Sequence, residues 1–318
     1  TANNREIIEP RIIQLVRELT AAPATAEVAD ALKPGMEQVV DQAASSSQGG
    51  KRLRALLALD AFDILAGDVT PDRRDAMIDL ACAIEVFQTA ALVHDDIIDE
   101  SDLRRGRPSA HRALEQAVHS GAIGRGLGLM LGDILATACI EITRRSASRL
   151  PNTDALNEAF LTMQREVEIG QVLDLAVEMT PLSNPEALAN ASLNVFRWKT
   201  ASYTTIAPLL LALLAAGESP DQARHCALAV GRPLGLAFQL ADDLLDVVGS
   251  SRNTGKPVGG DIREGKRTVL LADALSAADT ADKADLIAIF EEDCRNDNQV
   301  ARTIEPVSYT HLTLPTKA

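Results

Sequence analysis

The chain has few aromatic residues and little basic charge for its length. Of its 318 residues, Phe, Tyr and Trp make up 3%, and 45 Asp and Glu outnumber 31 Lys and Arg, which gives a net charge of −14. This charge argues against nucleic-acid binding, because it repels phosphate backbones. The hydrophobic residues, 46% of the chain, are mainly alanine and leucine. That composition favours helices packed on helices over a β-sheet.

The sequence also lacks cysteine pairs and long apolar runs. Cysteines stand alone in apolar helical stretches, at Cys82, Cys139, Cys226 and Cys294, which predicts buried free thiols and a reducing compartment. No stretch reaches 18 uncharged apolar residues and no signal peptide is recognisable, so we expect a cytoplasmic protein without a transmembrane segment. No Ser-His-Asp or Cys-His arrangement points to a protein nucleophile.

Apolar residues recur at helical spacing along most of the chain. The pattern predicts helices near residues 5–20, 27–44, 53–67, 71–100, 121–144 and 153–179. Gly126, Gly128 and Gly132 in the fifth of these segments would permit a close contact with another helix. His94 and His111 are expected to be hydrogen-bonded structural residues.

Two acidic clusters with the same spacing lie in apolar helical segments. They are Asp95, Asp96 and Asp99, and Asp242, Asp243 and Asp246. Positions four apart share a helix face, so the outer carboxylates of each cluster point the same way. Two such carboxylates suit Mg²⁺, which takes oxygen ligands and completes its shell with water and phosphate. A single cluster of this kind is usually solvated surface, but two in apolar surroundings require a compensating cation.

Basic residues gather at two places. Gly49 and Gly50 precede Lys51, Arg52 and Arg54, where a turn and a helix start would hold an anion, although an ordinary solvated helix start has the same composition. A second group follows the first acidic cluster in a turn-rich loop and consists of Arg104, Arg105 and Arg107. These guanidinium groups suit phosphate oxygens, or they pair with the aspartates and neutralise them without a ligand.

Four motifs taken together resemble the trans-isoprenyl diphosphate synthases of the polyprenyl synthetase family. In order, they are Gly49-Gly50-Lys51-Arg52-Leu53-Arg54, Asp95-Asp96-Ile97-Ile98-Asp99, Arg104-Arg105-Gly106-Arg107-Pro108 and Asp242-Asp243-Leu244-Leu245-Asp246. The resemblance covers about residues 10–305 and implies an all-α, single-domain antiparallel helix bundle around a deep central cavity, the isoprenoid synthase fold. It implies that the acidic clusters face each other at the cavity mouth, and that the protein is a homodimer.

The resemblance also assigns roles to individual residues. It implies metal ligands at Asp95, Asp99, Asp242 and Asp246. It implies that isopentenyl diphosphate is held by Lys51, Arg54, Gln88 and Arg105. It implies that the allylic diphosphate is contacted by Arg104, Lys199, Thr200, Gln239, Lys256 and Lys266. The last two lysines lie in a Gly-rich segment, residues 249–268, that is expected to close over the site. A mobile linker of the same composition is the alternative. The polar stripe of Gln164, Glu168, Gln171 and Asp174 would line the cavity mouth, or else form a plain surface.

The implied reaction is Mg²⁺-dependent, head-to-tail condensation of isopentenyl diphosphate with an allylic diphosphate, without a covalent enzyme intermediate. The catalytic set implied by the family is Asp95, Asp96, Asp99, Asp242, Asp243, Asp246, Lys199 and Arg104. A class I terpene cyclase and a non-catalytic partner subunit are the alternatives. The second cluster favours chain elongation, since cyclases usually vary that motif and partner subunits usually lose one or both clusters.

Product length is bounded by the residues before Asp95. Positions five and four before it are Ala90 and Ala91, where short-chain members of the family commonly carry an aromatic residue. The next bulky residue is Phe87, one turn further from the metals, with Met130 or Leu131 as neighbours. A floor at Phe87 would suit geranylgeranyl diphosphate, whereas a rotated Phe87 would admit products of twenty-five to forty carbons.

The last residues do not continue the family pattern. Residues 307–318 are polar and β-propense, without an amphipathic period, and their first six back-translate to a sequence that resembles a transposon-type adapter. We therefore expect a polyprenyl synthetase domain over residues 1–306, truncated at its C-terminus, and a non-native tail over 307–318. A genuine divergent tail is the alternative.

Overall fold

The structure, a computed structural model, describes residues 2–249, 258–292 and 295–312. These residues are helical apart from one short hairpin and the connecting turns, which confirms the all-α prediction. The elements up to the hairpin are α1 (Ala2–Thr20), a 3₁₀ turn (Asp30–Leu32), α2 (Lys33–Ser46), α3 (Leu53–Leu65), α4 (Pro71–Ile98), β1 (Leu103–Arg104) and β2 (Arg107–Pro108). The remaining elements are α5 (Ala110–Val118), α6 (Gly121–Ala147), α7 (Thr153–Val177), α8 (Pro185–Val195), a π-helix (Phe196–Ile206), α9 (Ala207–Ala216), α10 (Pro220–Val248), α11 (Gly260–Glu264), α12 (Val269–Ala277), α13 (Thr280–Phe290) and α14 (Asp297–Leu312).

Local sequence signals fix several helix starts. The hydroxyl of Thr70 accepts the N–H of Arg73, and Pro71 occupies the first helical position of α4. The hydroxyl of Thr268 caps α12 in the same manner, and the carboxylate of Asp279 caps α13. These caps satisfy N–H groups that have no partner within their own helix.

The chain divides into two compact units. The first comprises Thr1–Arg165 and Tyr203–Gly231. Its centre is α4, which is buried over most of its length and packs against α1, α3 and α6, while α5 packs on α6 and α9 on α3. A helix that is apolar on almost all sides, as α4 is, belongs in such a central position.

The second unit comprises Glu166–Ser202 and Arg232–Ala318. Its apolar core joins α8, α12, α13 and α14 through residues such as Leu188, Leu271, Phe290 and Val300. The single-domain arrangement, the central cavity and the facing acidic clusters stay predictions.

Two local expectations need correction. The segment predicted as a turn-rich loop after the first acidic cluster contains a turn flanked by two short strands, a β-hairpin, because Arg105 and Gly106 both have positive φ and form a two-residue turn. The final helix continues to Leu312, into the segment for which no helix was expected. Extending a formed helix adds one hydrogen bond per residue and outweighs weak β-propensity. The domain boundary at residue 306 and the non-native origin of the tail stay predictions, and residues 313–318 lie outside the described residues.

Three helical stretches are long and apolar enough, by length and composition, to cross a membrane. They are Pro71–Ile98, Gly121–Ala147 and Pro185–Ala216. The absence of a transmembrane segment therefore stays a prediction. Of the cysteines, Cys82 and Cys139 are buried free thiols as expected. Cys226, on α10, is a free thiol that is only half-buried. Cys294 lies outside the described residues.

Candidate functional site

The loop between α2 and α3 adopts an unusual backbone conformation. Gly49, Gly50 and Arg52 all have positive φ, which only glycine adopts without strain. Arg52 turns inward, with Nε 2.6 Å from Oε2 of Glu9 and Nη1 3.4 Å from Oε2 of Glu85. The expectation that Arg52 adds its charge to an anion site was therefore wrong, since two buried or half-buried carboxylates occupy its guanidinium.

The residues predicted to hold isopentenyl diphosphate differ in exposure. Lys51 is exposed, Gln88 is half-buried and Arg54 is buried. The guanidinium of Arg54 lies 3.9 Å from the ring centroid of Tyr203 and donates to Oγ1 of Thr204 at 2.8 Å. Among the described residues, its Nε has no hydrogen-bond partner. Arg54 is thus fixed by a cation–π contact and a hydroxyl, and retains one donor.

In the first acidic cluster, the middle residue differs from the outer two. Asp96 is buried and accepts hydrogen bonds from Nε of Arg104 at 2.9 Å and from its Nη2. Asp95 is 3.7 Å from Nη2 of the same arginine. The N–H of Asp99 donates to the carbonyl of Asp95 at 2.8 Å, so the helical turn continues past Ile98 and both outer carboxylates leave one face.

The charges of this cluster shift one another's pKa values. Burial raises the pKa of Asp96, and the ion pair with Arg104 offsets part of the rise. Burial lowers the pKa of Arg104, but its bond to Asp96 and the charges of Asp95 and Asp99 outweigh burial, so this pKa is raised overall. The charge of Arg104 therefore offsets that of Asp96 more strongly than that of Asp95.

The hairpin turn brings Arg105 to the Gly49–Gly50 loop. Its Nη1 donates to the carbonyl of Gln48 at 2.9 Å and to that of Gly49 at 3.4 Å. A Cβ on Gly50 would lie 3.1 Å from Nη2 of Arg105, so glycine permits this approach. Burial and the positive charges of Arg52 and Arg104 lower the pKa of Arg105. An anion bound here would offset that repulsion.

A pocket of about 250 Å³ opens between the α2–α3 loop, α4 and the hairpin. Its polar lining includes Gln42, Gln48, Asp96, Arg105 and Arg107. In the described part of the chain, Lys51, Arg54 and Gln88 do not line it. The structure thus places Arg105, but not the other three predicted isopentenyl diphosphate contacts, at this pocket.

The residues predicted to limit product length point in different directions. Phe87 is 1% exposed and meets the ring of Tyr203 edge-on, with centroids 6.1 Å apart. Ala90 is also 1% exposed, whereas Ala91 is half-buried, as is Asp95 four residues later. Ala91 therefore shares the accessible face of α4 with the acidic cluster, and Ala90 belongs to the core. Of the proposed neighbours, Leu131 is buried and Met130 is exposed.

The second cluster lies at the end of a hydrogen-bonded chain of side chains. Oγ1 of Thr200 donates to Gln239 at 2.9 Å, and Nε2 of Gln239 donates to Oδ1 of Asp243 at 2.7 Å. Among the described residues, the other oxygen of Asp243 has no hydrogen-bond partner, although the side chain is only 4% exposed. Burial, with the negative charges of Asp261 and Asp242, raises the pKa of Asp243 to about 7.

The outer acids of this cluster have different surroundings. Asp242 is exposed, whereas the carboxylate of Asp246 accepts the N–H groups of Gly260 and Asp261, at 3.2 and 3.0 Å. Nζ of Lys266 lies 2.7 Å from Glu264 and 3.7 Å from Asp261. The turn into α11 therefore brings one more acid and one lysine to the cluster. Lys256 lies outside the described residues.

Lys199 and Thr200 lie in the π-helix, which pattern reasoning did not predict. Nζ of Lys199 is 2.5 Å from Oδ2 of Asp174, so one acid of the polar stripe holds this lysine. A Cβ on Gly170 would lie 2.4 Å from the backbone nitrogen of Lys199, so glycine allows α7 to pass close to it. π-Helical turns are rare and often occur at functional positions.

A sequence model of the polyprenyl synthetase family matches residues 34–307, most of the chain. The chain belongs to the polyprenyl synthetase family. Among relatives of this synthetase, the short chain isoprenyl diphosphate synthase of Methanothermobacter thermautotrophicus is 33% identical over 76% of this chain and 68% of that protein. The geranylgeranyl diphosphate synthase of Saccharolobus solfataricus is 29% identical over 76% and 67%. A crystal structure of geranylgeranyl pyrophosphate synthase from Corynebacterium glutamicum, complexed with isoprenyl diphosphate and magnesium, has a TM-score of 0.80 at 33% identity, over 97% of this chain and 86% of that one.

Membership confirms the resemblance drawn from the four motifs. The synthetase is a trans-prenyltransferase with the all-α fold of isoprenyl diphosphate synthases, which as a family use Mg²⁺. In the described part of the chain, no group of three or more His, Cys, Asp or Glu side chains is arranged to hold a metal. The predicted ligands come as pairs, which leaves the rest of each coordination shell to water and substrate oxygens.

Sequence reasoning missed several residues of this synthetase. Glu9 and Glu85 hold Arg52, and Asp261 raises the pKa of Asp243. Only Asp261 left a signal, since it follows two glycines and precedes Lys266. The histidine predictions were confirmed: Nε2 of His94 is 3.3 Å from the carbonyl of Leu129, and Nδ1 of His111 is 3.3 Å from Oγ of Ser109.

Proposed function

We propose that this synthetase makes geranylgeranyl diphosphate by Mg²⁺-dependent, head-to-tail addition of isopentenyl diphosphate to an allylic diphosphate. The observation that carries the proposal is the buried carboxylate of Asp243. Among the described residues, one of its oxygens has no hydrogen-bond partner, and the negative charges of Asp242 and Asp261 disfavour its ionised form. The ionised form of such a group is costly in a buried position unless a cation offsets its charge. Mg²⁺ held by the flanking Asp242 and Asp246 would supply that charge, since carboxylate oxygens are the ligands that Mg²⁺ prefers.

The residues present fit the metal. Asp95 with Asp99, and Asp242 with Asp246, would each hold Mg²⁺, with water and diphosphate oxygens as further ligands. When bound, Mg²⁺ neutralises charge on the diphosphate and makes it a better leaving group. Asp96 serves the first cluster differently, because its pairing with Arg104 places that guanidinium beside Asp95.

Cationic side chains would stabilise charge on the departing diphosphate. Lys199 is aimed by Asp174, and Lys266 is held by Glu264 and Asp261. Preorganised cations of this kind usually supply the largest electrostatic contribution to catalysis. Arg104, Thr200, Gln239 and Lys256 complete the proposed allylic diphosphate contacts. Thr200 and Gln239 also fix the orientation of Asp243 through their hydrogen bonds.

Isopentenyl diphosphate would bind at Lys51, Arg54, Gln88 and Arg105. The allylic C–O bond breaks and its electron pair leaves with the diphosphate. The double bond of isopentenyl diphosphate then forms the new C–C bond to the allylic carbon. Loss of a proton restores an allylic double bond in a product one isoprene unit longer. No protein group forms a covalent bond with substrate in this sequence.

The twenty-carbon product is supported by α4 and by the named relatives. Ala91 leaves the accessible face open one turn from Asp95, and the Phe87–Tyr203 contact closes the core one turn further on. Products of twenty-five to forty carbons are the alternative, if Phe87 rotates. We also propose a homodimer, which is supported by exposed apolar side chains on α6, such as Leu129, Met130 and Ile140. A cytoplasmic location is supported by the free thiols of Cys82 and Cys139. Light scattering on the purified protein tests the dimer.

One incubation separates the candidate functions. The purified protein is given farnesyl diphosphate and Mg²⁺, with and without labelled isopentenyl diphosphate, and the products are dephosphorylated and chromatographed. We expect a labelled twenty-carbon alcohol only when isopentenyl diphosphate is present, and none after chelation of Mg²⁺. A hydrocarbon formed from farnesyl diphosphate alone would indicate a cyclase. No turnover at all would indicate a partner subunit and contradict the proposal.

A further inference from the structure

The loop Ser47–Arg52, here called the isopentenyl loop, is held in a conformation that its own residues do not favour. Arg52 has a φ of 54°, in the left-handed region that non-glycine residues rarely adopt. Gly49 and Gly50 have φ values of 72° and 91°. Such conformations persist where the surroundings enforce them, and Lys51, a proposed substrate contact, lies between two of these residues.

Helix α1 makes several of the hydrogen bonds that hold the loop in this conformation. The carboxylate of Glu9 accepts the N–H of Gly49 at 2.8 Å, and its two oxygens accept Nε and Nη2 of Arg52 at 2.6 and 3.0 Å. Nη2 of Arg5 donates to the carbonyl of Gly50 at 3.1 Å. One helix therefore contacts the isopentenyl loop at three positions, on both sides of Lys51.

The contact from the other side is made by α4. Glu85 accepts Nη1 of Arg52 at 3.4 Å and the N–H of Ala55, at the start of α3, at 3.1 Å. The guanidinium of Arg52 also donates to the carbonyl of Ser47, which closes the loop on itself. Because Arg52 is buried and lies between Glu9 and Glu85, loss of either acid would leave a buried cation only partly paired.

Helix α1 lies outside the region 34–307 that matches the polyprenyl synthetase family. Glu9 and Arg5 therefore lie outside the matched region, whereas the loop that they contact lies within it. Burial raises the pKa of Glu9, but bonding to Arg52 and Gly49 outweighs burial and lowers the pKa overall, so the ionised form is the one that the loop stabilises.

We propose that Glu9, acting through Arg52 and the Gly49 amide, is a positioning residue that sets the isopentenyl loop for binding of isopentenyl diphosphate. This inference rests on the proposed function. Glu9 makes no proposed contact with either substrate. Removal of its charge should therefore weaken the binding of isopentenyl diphosphate and leave that of the allylic diphosphate, because the allylic diphosphate is assigned to residues outside the isopentenyl loop.

The test compares E9Q with E18Q. Glu18 lies on the same helix and pairs with Arg145 on the surface at 2.7 Å, so the control removes an equal charge from α1 without touching the loop. We expect E9Q to raise the KM for isopentenyl diphosphate about tenfold, with kcat and the KM for farnesyl diphosphate within about twofold of wild type. Hydrogen exchange of a peptide spanning residues 47–52 should be faster in E9Q and unchanged in E18Q.

An E9Q protein with wild-type exchange in this peptide, or with both KM values raised together, would overturn the positioning role. If E9Q does not fold, R5Q removes the hydrogen bond to the Gly50 carbonyl and a positive charge near Glu9, while Glu9 itself stays in place. R5Q should raise the KM for isopentenyl diphosphate about threefold, and an unchanged value would overturn the role. Turnover by the wild type with no change in E9Q leaves the proposed function standing and refutes this inference. Absence of turnover in the wild type refutes both.

Discussion

Arg104 donates hydrogen bonds from both Nε and Nη2 to a single oxygen of Asp96, eight residues earlier in the chain. The chain reverses direction after α4, where Glu100 has a positive φ and the N–H of Ser101 donates to the carbonyl of Asp96 at 2.9 Å, and this reversal precedes Arg104. As a result, the middle carboxylate of the first cluster is committed to a protein partner. Its two neighbours in the motif are the proposed metal ligands.

Substitutions in this cluster should therefore separate stability from catalysis. Asp96→Asn leaves Arg104 without its buried counterion, and we expect unfolding free energy to fall by on the order of 3 kcal/mol. Asp95→Ala, and Asp242→Ala in the second cluster, should keep the melting temperature within a few degrees and lose turnover at all Mg²⁺ concentrations. Chemical denaturation and a Mg²⁺-dependent product assay measure both quantities. Near-wild-type turnover of Asp95→Ala or Asp242→Ala would refute the ligand assignment.

Product length should respond to Ala91 and Phe87 but not to Ala90. Ala91→Phe places a ring on the accessible face one turn from Asp95, and we expect shorter products. Ala90→Phe places the same ring in the core, so we expect lower stability, of about 1–3 kcal/mol, in place of a product change. Phe87→Ala opens the contact with Tyr203 and should lengthen the products. Chromatography of dephosphorylated products gives the result.

Phe87→Leu is the milder companion of Phe87→Ala, because removing a buried ring costs about 3–5 kcal/mol and could unfold the protein. An unchanged product distribution in both Phe87 variants would show that the floor lies elsewhere. Shortened products from a stably folded Ala90→Phe would contradict the placement of Ala90 in the core.

The glycines of α6 offer a matched pair for testing the α5–α6 contact. A Cβ on Gly124 would lie 2.4 Å from Cα of Glu115 on α5. A Cβ on Gly126 would face open space, with no neighbouring residue of the described chain within 4 Å. We expect Gly124→Ala to lower the unfolding free energy by about 1–3 kcal/mol through overpacking. Gly126→Ala should raise it by up to about 1 kcal/mol, because alanine favours helix. Equal effects in thermal unfolding would contradict this difference.

His111 should contribute to the pH dependence of stability. Burial, with the positive charges of Arg112 and Arg125, lowers the pKa of this histidine below its usual value near 6.5. The unfolded state therefore binds a proton more readily, and the unfolding free energy should fall as pH drops through about 6.5. In His111→Gln that loss should be smaller between pH 7.5 and 5.5, measured by denaturation at each pH. Parallel curves for the two proteins would show that His111 does not titrate on unfolding.

The sequence by itself determined the longer helices before residue 180 and the family. Apolar periodicity along α4 and α6 depends on neighbours within a few residues, so it can be recognised without the fold. The four motifs were legible for the same reason, because each is a short run of residues with one spacing. Outer carboxylates at positions four apart could be assigned to one face from helix geometry alone.

Only the tertiary structure decided which charged side chains pair with other residues of the protein and which stay exposed. Arg52 and Lys51 are adjacent and both basic, yet Arg52 meets Glu9 and Glu85, which lie 43 and 33 residues away, while Lys51 stays exposed. Ala90 and Ala91 are likewise identical in sequence terms, and packing alone buries one of them. Of the three glycines expected at a helix contact, Gly128 and Gly132 lie against His111 and His94, whereas Gly126 faces open space and Gly124 makes a contact that was not predicted. Each outcome depends on partners brought together by folding, and such long-range contacts leave no periodic trace in the sequence.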